Sequence, residues 1–229
     1  MTKVLTDDLI VAHLSEVLDY VASSRPLKDH VSVGPGEVFL VGHSRGGKLS
    51  VLEAAQDERV GCVALLDPVD NTVYAPLAPG FPSAAQQLRE GLPARRARGD
   101  LPIALVGAAK GEDCAPKDAN YDAFFEAARL GEVGPLFEVV IPKVGHLQFL
   151  DGDATQKNFC FASEETGDAD VHTVARGVLV AWGLKHLRGS DHTNGLVVDG
   201  EVVGDRIDMD KVVEGLEAAT GTELQVRRG

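Results

Sequence analysis

Aromatic side chains are scarce in this chain, at 5% of residues with a single Trp, so a core has to be assembled mainly from Val, Leu and Ala. Positive charge is also short: 22 Lys and Arg face 35 Asp and Glu, for a net charge of −13. Binding a phosphate backbone requires clustered cations, so no nucleic-acid partner is expected. The one basic cluster, Arg95-Arg96-Ala97-Arg98, sits in a Pro- and Gly-rich stretch and reads as a solvated loop. Only three cysteines occur, widely spaced and without a CxxC pair, which predicts neither a disulfide scaffold nor a zinc site. No metal and no cofactor are expected. Cys62 lies in an apolar run and reads as core, while Cys114 and Cys160 can pair only if the fold brings them together. No stretch approaches the roughly 18 apolar residues of a membrane span. The N-terminus lacks the basic-then-apolar order of a signal peptide. The chain therefore reads as a soluble protein, cytosolic unless an address lies upstream, with membrane contact limited to peripheral association.

What is present is a regular alternation. A length of 229 residues allows one sizeable core. Residues 7–22 carry Leu9, Ile10, Leu14, Val17, Leu18 and Val21 at helical spacing, with Asp7 or Asp8 placed to cap the start. Apolar runs at 37–41, 60–66, 101–107 and 136–141 read as buried parallel strands. Helical patterns follow the first run, recur near 84–89 and 120–129, and close with a long helix at about 171–187. Strands alternating with helices predict a mostly parallel α/β sheet covered on both faces. The acidic, Gly-rich residues 190–229 read as a separate C-terminal extension to a 1–189 domain, with a hairpin at the valine doublets and a short helix near 211–219.

One turn in this pattern carries chemistry. Gly42-His43-Ser44-Arg45-Gly46 fits G-x-S-x-G at the junction of an apolar strand and a helix, the nucleophile elbow of α/β-hydrolases. The sharp turn exposes the serine hydroxyl, and the expectation is that side chains two residues before and after it collide, hence glycine at 42 and 46. The N–H of Arg45 then faces an oxyanion at a helix N-terminus.

A serine nucleophile needs a base, and the base an orienting acid. His146 lies just past the fourth strand, at the sheet's carboxyl edge, and follows the serine in the chain order expected of this fold. His13 and His30 precede Ser44, His172 and His186 fall in the last helix, His192 in the tail, and His43 cannot readily turn back onto Ser44. For the acid, Asp67, Asp70 and Asp113 all follow Ser44 near strand ends, and chain position alone favours Asp113. The Pro-rich segment from Ala75 to Pro93, with Tyr74, Leu77, Phe81 and Leu88, reads as either an apolar wall for substrate or a plain surface loop.

Several segments together resemble one family. Gly42-His43-Ser44-Arg45-Gly46-Gly47-Lys48 is similar to the lipase motif of chlorophyllases. Leu66-Asp67-Pro68-Val69-Asp70 resembles their Asp-Pro-Val segment, and Cys114-Ala115-Pro116 with Asn120 to Phe125 resembles their Cys-Ala-Pro…Asn…Phe-Phe stretch. Val144-Gly145-His146-Leu147-Gln148-Phe149-Leu150-Asp151 resembles their Gly-His segment, with Gln148 where an acidic residue is usual. The likeness covers roughly residues 8–187. It implies Ser44 as nucleophile, Asp67 rather than Asp113 as acid, His146 as base, and hydrolysis of the chlorophyll phytyl ester in a chloroplast. It also marks a departure. Such hydrolases have several strands before the elbow strand, whereas about 36 residues precede it here. The resemblance then implies an N-terminally shortened sheet, without the loop that donates a second oxyanion N–H. A partner or second copy is expected to cover the sheet edge so exposed.

Overall fold

The computed structural model describes residues 5–28, 30, 31, 33–73, 75–95, 99–111, 114–151, 160, 165–187, 197, 198, 201, 202 and 206–229. The four apolar runs form parallel strands in chain order: β1 (Val38–His43), β2 (Val60–Leu66), β3 (Ile103–Ala108) and β4 (Leu136–Ile141). Between them run α3 (Arg45–Gln56), α4 (Ala84–Arg89) and α5 (Tyr121–Leu130), after α1 (Asp7–Ser23) and α2 (Arg25–Lys28). A 3₁₀ turn, His146–Phe149, follows β4, and α6 spans Asp168–His186. The short hairpin strands β5 (Val197–Val198) and β6 (Glu201–Val202), helix α7 (Met209–Thr220) and strand β7 (Gln225–Arg228) complete the elements.

Side-chain alternation assigns the two faces. Val63, Leu65, Ile103 and Leu105 pack with Val51, Leu52, Leu88 and Phe124 of α3, α4 and α5. Cys62, Ala64, Ala104 and Val106 point the other way, against Val171, Val174, Val178 and Trp182 of α6. The small residues on that second face admit a long helix close to the sheet. Cys62 is fully buried, as expected of core, and burial pushes its thiol up to about 12.

Three expectations need correction, and one question that the sequence leaves open is answered. The C-terminal stretch is not an appendage beyond its hairpin: α7 packs on α6, and β7 joins the main sheet antiparallel to β4. Its Arg227 pairs with Glu138, a fully buried charge inside an otherwise apolar strand. Cys114 and Cys160 are disulfide-bonded with Cα atoms 5.7 Å apart, because the loops after β3 and after the 3₁₀ turn converge at one sheet edge. Arg95 is buried rather than solvated, its guanidinium donating to the carbonyl of Ala54 at 3.0 Å. Arg96, Ala97 and Arg98 lie outside the described residues. Thr6, not Asp7 or Asp8, caps α1, its Oγ1 accepting from the Leu9 N–H. Among the described residues no helix is long and apolar enough to cross a membrane. β1 is the sheet's edge, with Val41 partly exposed.

Candidate active site

Parallel register builds the site. His43 of β1 lies beside Leu66 of β2, so Ser44 and Asp67 leave neighbouring strands side by side. The Ser44 N–H donates to the Leu66 carbonyl at 3.0 Å, and the Asp67 N–H to that of Val106 at 2.7 Å, extending the ladder past the strand ends. Both residues have positive φ, 56° and 40°, a conformation that costs non-glycine residues about 1–3 kcal/mol each.

The elbow's glycines serve unequally. A Cβ on Gly42 would meet the Gly46 carbonyl oxygen at 2.1 Å, so no side chain fits there. On Gly46 a Cβ meets nothing within 4 Å, against the expectation of a clash. The second tight contact belongs to Gly47, where a Cβ would lie 2.8 Å from Cβ of Pro68. Thus α3 is drawn down onto the Asp67-Pro68 turn, and the Arg-Gly-Gly order has a packing reason at its last residue.

Into this turn comes His146, delivered by the loop after β4. Its Nδ1–H donates to Asp67 Oδ2 at 2.6 Å, and its Nε2 lies 2.9 Å from Ser44 Oγ. A carboxylate only accepts, so the proton sits on Nδ1 and leaves Nε2 bare to accept from the serine hydroxyl. The other carboxylate oxygen, Asp67 Oδ1, accepts from the Ala108 N–H at 3.1 Å. Asp67 and His146 are buried, while Ser44 keeps partial access to solvent. Gly111 closes the far side: a Cβ there would lie 2.7 Å from Asp67 Oδ2. The His146 turn is braced within itself, since Gln148 Oε1 accepts from the Gly145 N–H at 2.9 Å. Gln148 Nε2 in turn donates to the Thr166 carbonyl at 2.9 Å. The amide at 148 thus accepts from one backbone group and donates to another, and a carboxylate there could only accept.

The other candidates lie elsewhere. Asp70 braces the start of α4 from the loop after β2, its carboxylate accepting from the Ser83 hydroxyl at 2.5 Å and the Ala84 N–H at 2.7 Å. Asp113, Tyr74 and His192 lie outside the described residues. His13 is exposed and paired with Glu16, and His30 is exposed. His172 lies 3.8 Å from Asp151. His186 packs on Trp182 with ring centroids 4.0 Å apart, and burial, then neighbouring Lys185, holds its pKa down at about 4. Leu77 is exposed on the loop after β2, and Phe81 is half-buried under the Arg45 guanidinium, 5.7 Å from its ring centre.

Arg45 opens α3, where a backbone N–H has no intrahelical acceptor and faces outward at the positive end of the helix. Its side chain is tied down by a residue that sequence reading assigned only to a cap. Asp7 is 1% exposed and takes Arg45 at 2.6 Å on one oxygen and buried Lys48 at 2.9 Å on the other. The signal was a charged residue at the head of an amphipathic helix facing two cations just after the elbow. His43 was likewise set aside, yet its Nε2 donates to the backbone carbonyl of His146 at 2.9 Å.

No group of three or more His, Cys, Asp or Glu able to hold a metal ion occurs among the described residues. The chain is similar in fold to two solved hydrolases. One is a protein assigned as a dienelactone hydrolase from Klebsiella pneumoniae, with 17% identity and a TM-score of 0.52 over 77% of this chain and 61% of that one. The other is a ferulic acid esterase from Streptomyces cinnamoneus, with 18% identity and a TM-score of 0.53 over 87% and 56%. The chain thus spans about three-fifths of the length of the solved structures that it matches. No curated protein matches it by sequence. The family model described as Chlorophyllase matches residues 6–214, nearly the whole chain. On that match, and with a hydrolase sheet carrying the elbow at its expected strand end, the chain belongs to the chlorophyllase family.

Proposed function

We propose that this chain holds the centre of a serine carboxylic-ester hydrolase acting on a chlorophyll-like ester, with Ser44 as nucleophile, His146 as base and Asp67 as orienting acid. The observation that carries the reading is the continuous hydrogen-bonded line from Ser44 Oγ through His146 to Asp67. His146 Nε2 takes the hydroxyl proton as Ser44 Oγ attacks the ester carbonyl. The oxyanion forms against the Arg45 N–H, where one such donor contributes about 3 kcal/mol to the transition state. Collapse expels the alcohol, which takes its proton from His146. Water repeats the sequence in reverse and releases the free acid. Asp67 holds the imidazole tautomer throughout.

Leu77 and Phe81, with Tyr74 close by in sequence, are proposed to wall a long apolar alcohol such as phytol. Exposed Leu5, Val73, Leu77 and Leu150 support peripheral contact with a lipid surface, and the family's usual setting supports a chloroplast location. A partner or second copy covering β1 belongs to the same reading, since β1 ends the sheet with Val41 partly open. Ser44→Ala should abolish both ester hydrolysis and fluorophosphonate labelling, and retained turnover would sink the assignment. Comparing turnover of chlorophyll with that of p-nitrophenyl esters separates a chlorophyllase from an esterase of smaller substrates on the same framework. The sheet edge at β1 favours one second reading, a non-catalytic homologue that binds a hydrophobic ligand or a protein. Fluorophosphonate labelling at Ser44 excludes it.

A further inference from the structure

We infer that His43 is a positioning residue of this centre: its Nε2–H grips the backbone carbonyl of His146 while the next residue, Ser44, meets the side chain of the same histidine. This rests on the hydrolytic reading of Ser44, Asp67 and His146.

The geometry is specific. His43 Nε2 lies 2.9 Å from the carbonyl oxygen of His146, a contact across 103 residues of chain. A carbonyl only accepts, so Nε2 carries the proton. The two imidazoles lie against each other with centroids 4.7 Å apart, and the ring of Phe149 backs His43 at 5.8 Å. Burial, then the adjacent His146, holds the His43 pKa below its ordinary value, while the His146 carbonyl and Asp67 pull weakly the other way. A neutral His43 therefore donates its hydrogen bond without placing a cation beside the imidazolium that His146 becomes during turnover.

The need for such a tie follows from topology. The nucleophile follows the carboxyl end of β1 and the base that of β4, with β2 and β3 between, a spacing of about 14 Å at ~4.8 Å per strand. Asp67 fixes the ring of His146 from β2, and Gln148 braces the loop within itself. His43 is the residue that joins the elbow directly to the loop's backbone. Adjacent side chains of one turn thus hold the base at both ends, and the Ser44–His146 distance is set locally instead of through three strand spacings.

The test compares His43→Gln with His43→Met, side chains of similar length of which only Gln donates. Both are made in the full chain beside wild type and Ser44→Ala. The probes are p-nitrophenyl butyrate, a fluorophosphonate, and the downfield proton resonance of the His146 Nδ1–H. Misplacement by about 1 Å costs on the order of 100-fold, so kcat and the labelling rate of His43→Met should fall about 10- to 100-fold with KM within about twofold. His43→Gln should stay within about threefold of wild type. The Nδ1–H resonance should broaden in the Met variant and persist in the Gln variant. Equal behaviour of the two variants, whether both intact or both impaired, overturns the inference. Wild-type protein inert to substrate and label defeats the hydrolytic reading instead, and the resonance comparison still decides the role of His43.

Discussion

Arg227→Met isolates what the C-terminal strand contributes. Glu138 is fully buried in β4, and Arg227 of β7 reaches it with Nε and with Nη2, the latter at 2.9 Å from Oε1. The same guanidinium touches Asp122 at 2.7 Å and lies 4.3 Å over the ring of Phe125. Removing one partner of a buried pair strands the other charge, at about 3–5 kcal/mol. The Arg227 side chain is 37% exposed, so water reaches the gap and the lower end, about 3 kcal/mol, applies. For a domain of this size each kcal/mol moves Tm by about 2–4 °C, so the variant should melt roughly 6–12 °C lower at pH 8. The pH dependence has a definite sign. Burial already raises the Glu138 carboxyl above its ordinary value of 4.5 against the pull of Arg227, and losing the cation raises it further. Between 4.5 and that higher folded value the native state holds a proton that the unfolded chain has released. Stability of the variant therefore falls as pH rises through this window and levels off above it. Thermal melts of wild type, Arg227→Met and Glu138→Met/Arg227→Met at pH 4.5 and 8 test this. The double variant should recover most of the loss, because an apolar pair of similar volume needs no counter-charge. A pH-independent loss, or a double variant no better than the single one, would refute the reasoning.

Three further outcomes are expected. Gly46→Ala should keep expression, Tm and labelling near wild type, whereas Gly47→Ala should lose Tm, since its Cβ meets Pro68 at 2.8 Å; equal effects would contradict the elbow packing. Asp67→Asn should lower kcat by about 10⁴-fold by disturbing the His146 tautomer. Asp70→Asn should instead lower Tm by the loss of a helix start, about 1 kcal/mol, with kcat kept; exchange of these two phenotypes would reassign the acid. His186 is held neutral down to about pH 4 against 6.5 when unfolded, so the unfolded state takes up the proton first as pH falls. Stability should drop by about 2 kcal/mol, after allowance for partial solvent access, between those values and stay flat above them. Urea titrations of wild type and His186→Phe across pH 4–7 check this, and identical curves would count against it.

The sheet was legible because period and chemistry agreed there. Leu136–Ile141 and Val60–Leu66 are continuous apolar runs bounded by turn residues, and the structure ends β4 and β2 where the runs end. β7 was not legible: Gln225–Arg228 is short and charged, like an exposed tail. The available signal was in its partner, since a Glu inside an apolar strand calls for a cation somewhere. That cation lies 89 residues away, a distance that periodicity does not cross. The Cys114–Cys160 bond was hidden for the same reason: its formation depends on two loops meeting, and neither loop has a repeat. The clash was assigned to Gly46 when it falls at Gly47, because a motif states which residues recur without stating which of them touch. His43 was set aside for failing to reach Ser44. The partner it does reach is a backbone atom, to which side-chain patterns are blind.

On the proposed reading, backbone strain has a use that it would lack in a strand–helix turn that merely holds serine and histidine. Ser44 and Asp67 both adopt positive φ, and the Ser44 side chain makes no capping hydrogen bond to α3. Glycine at either position would remove about 1–3 kcal/mol of strain. Asp67 carries a second cost, a carboxylate with no solvent access, offset by the Ala108 N–H and the His146 ring. The use lies in the line of hydrogen bonds: strain at 44 aims a hydroxyl out of the sheet, and strain at 67 aims a carboxylate across it. One imidazole, held from behind by His43, meets both.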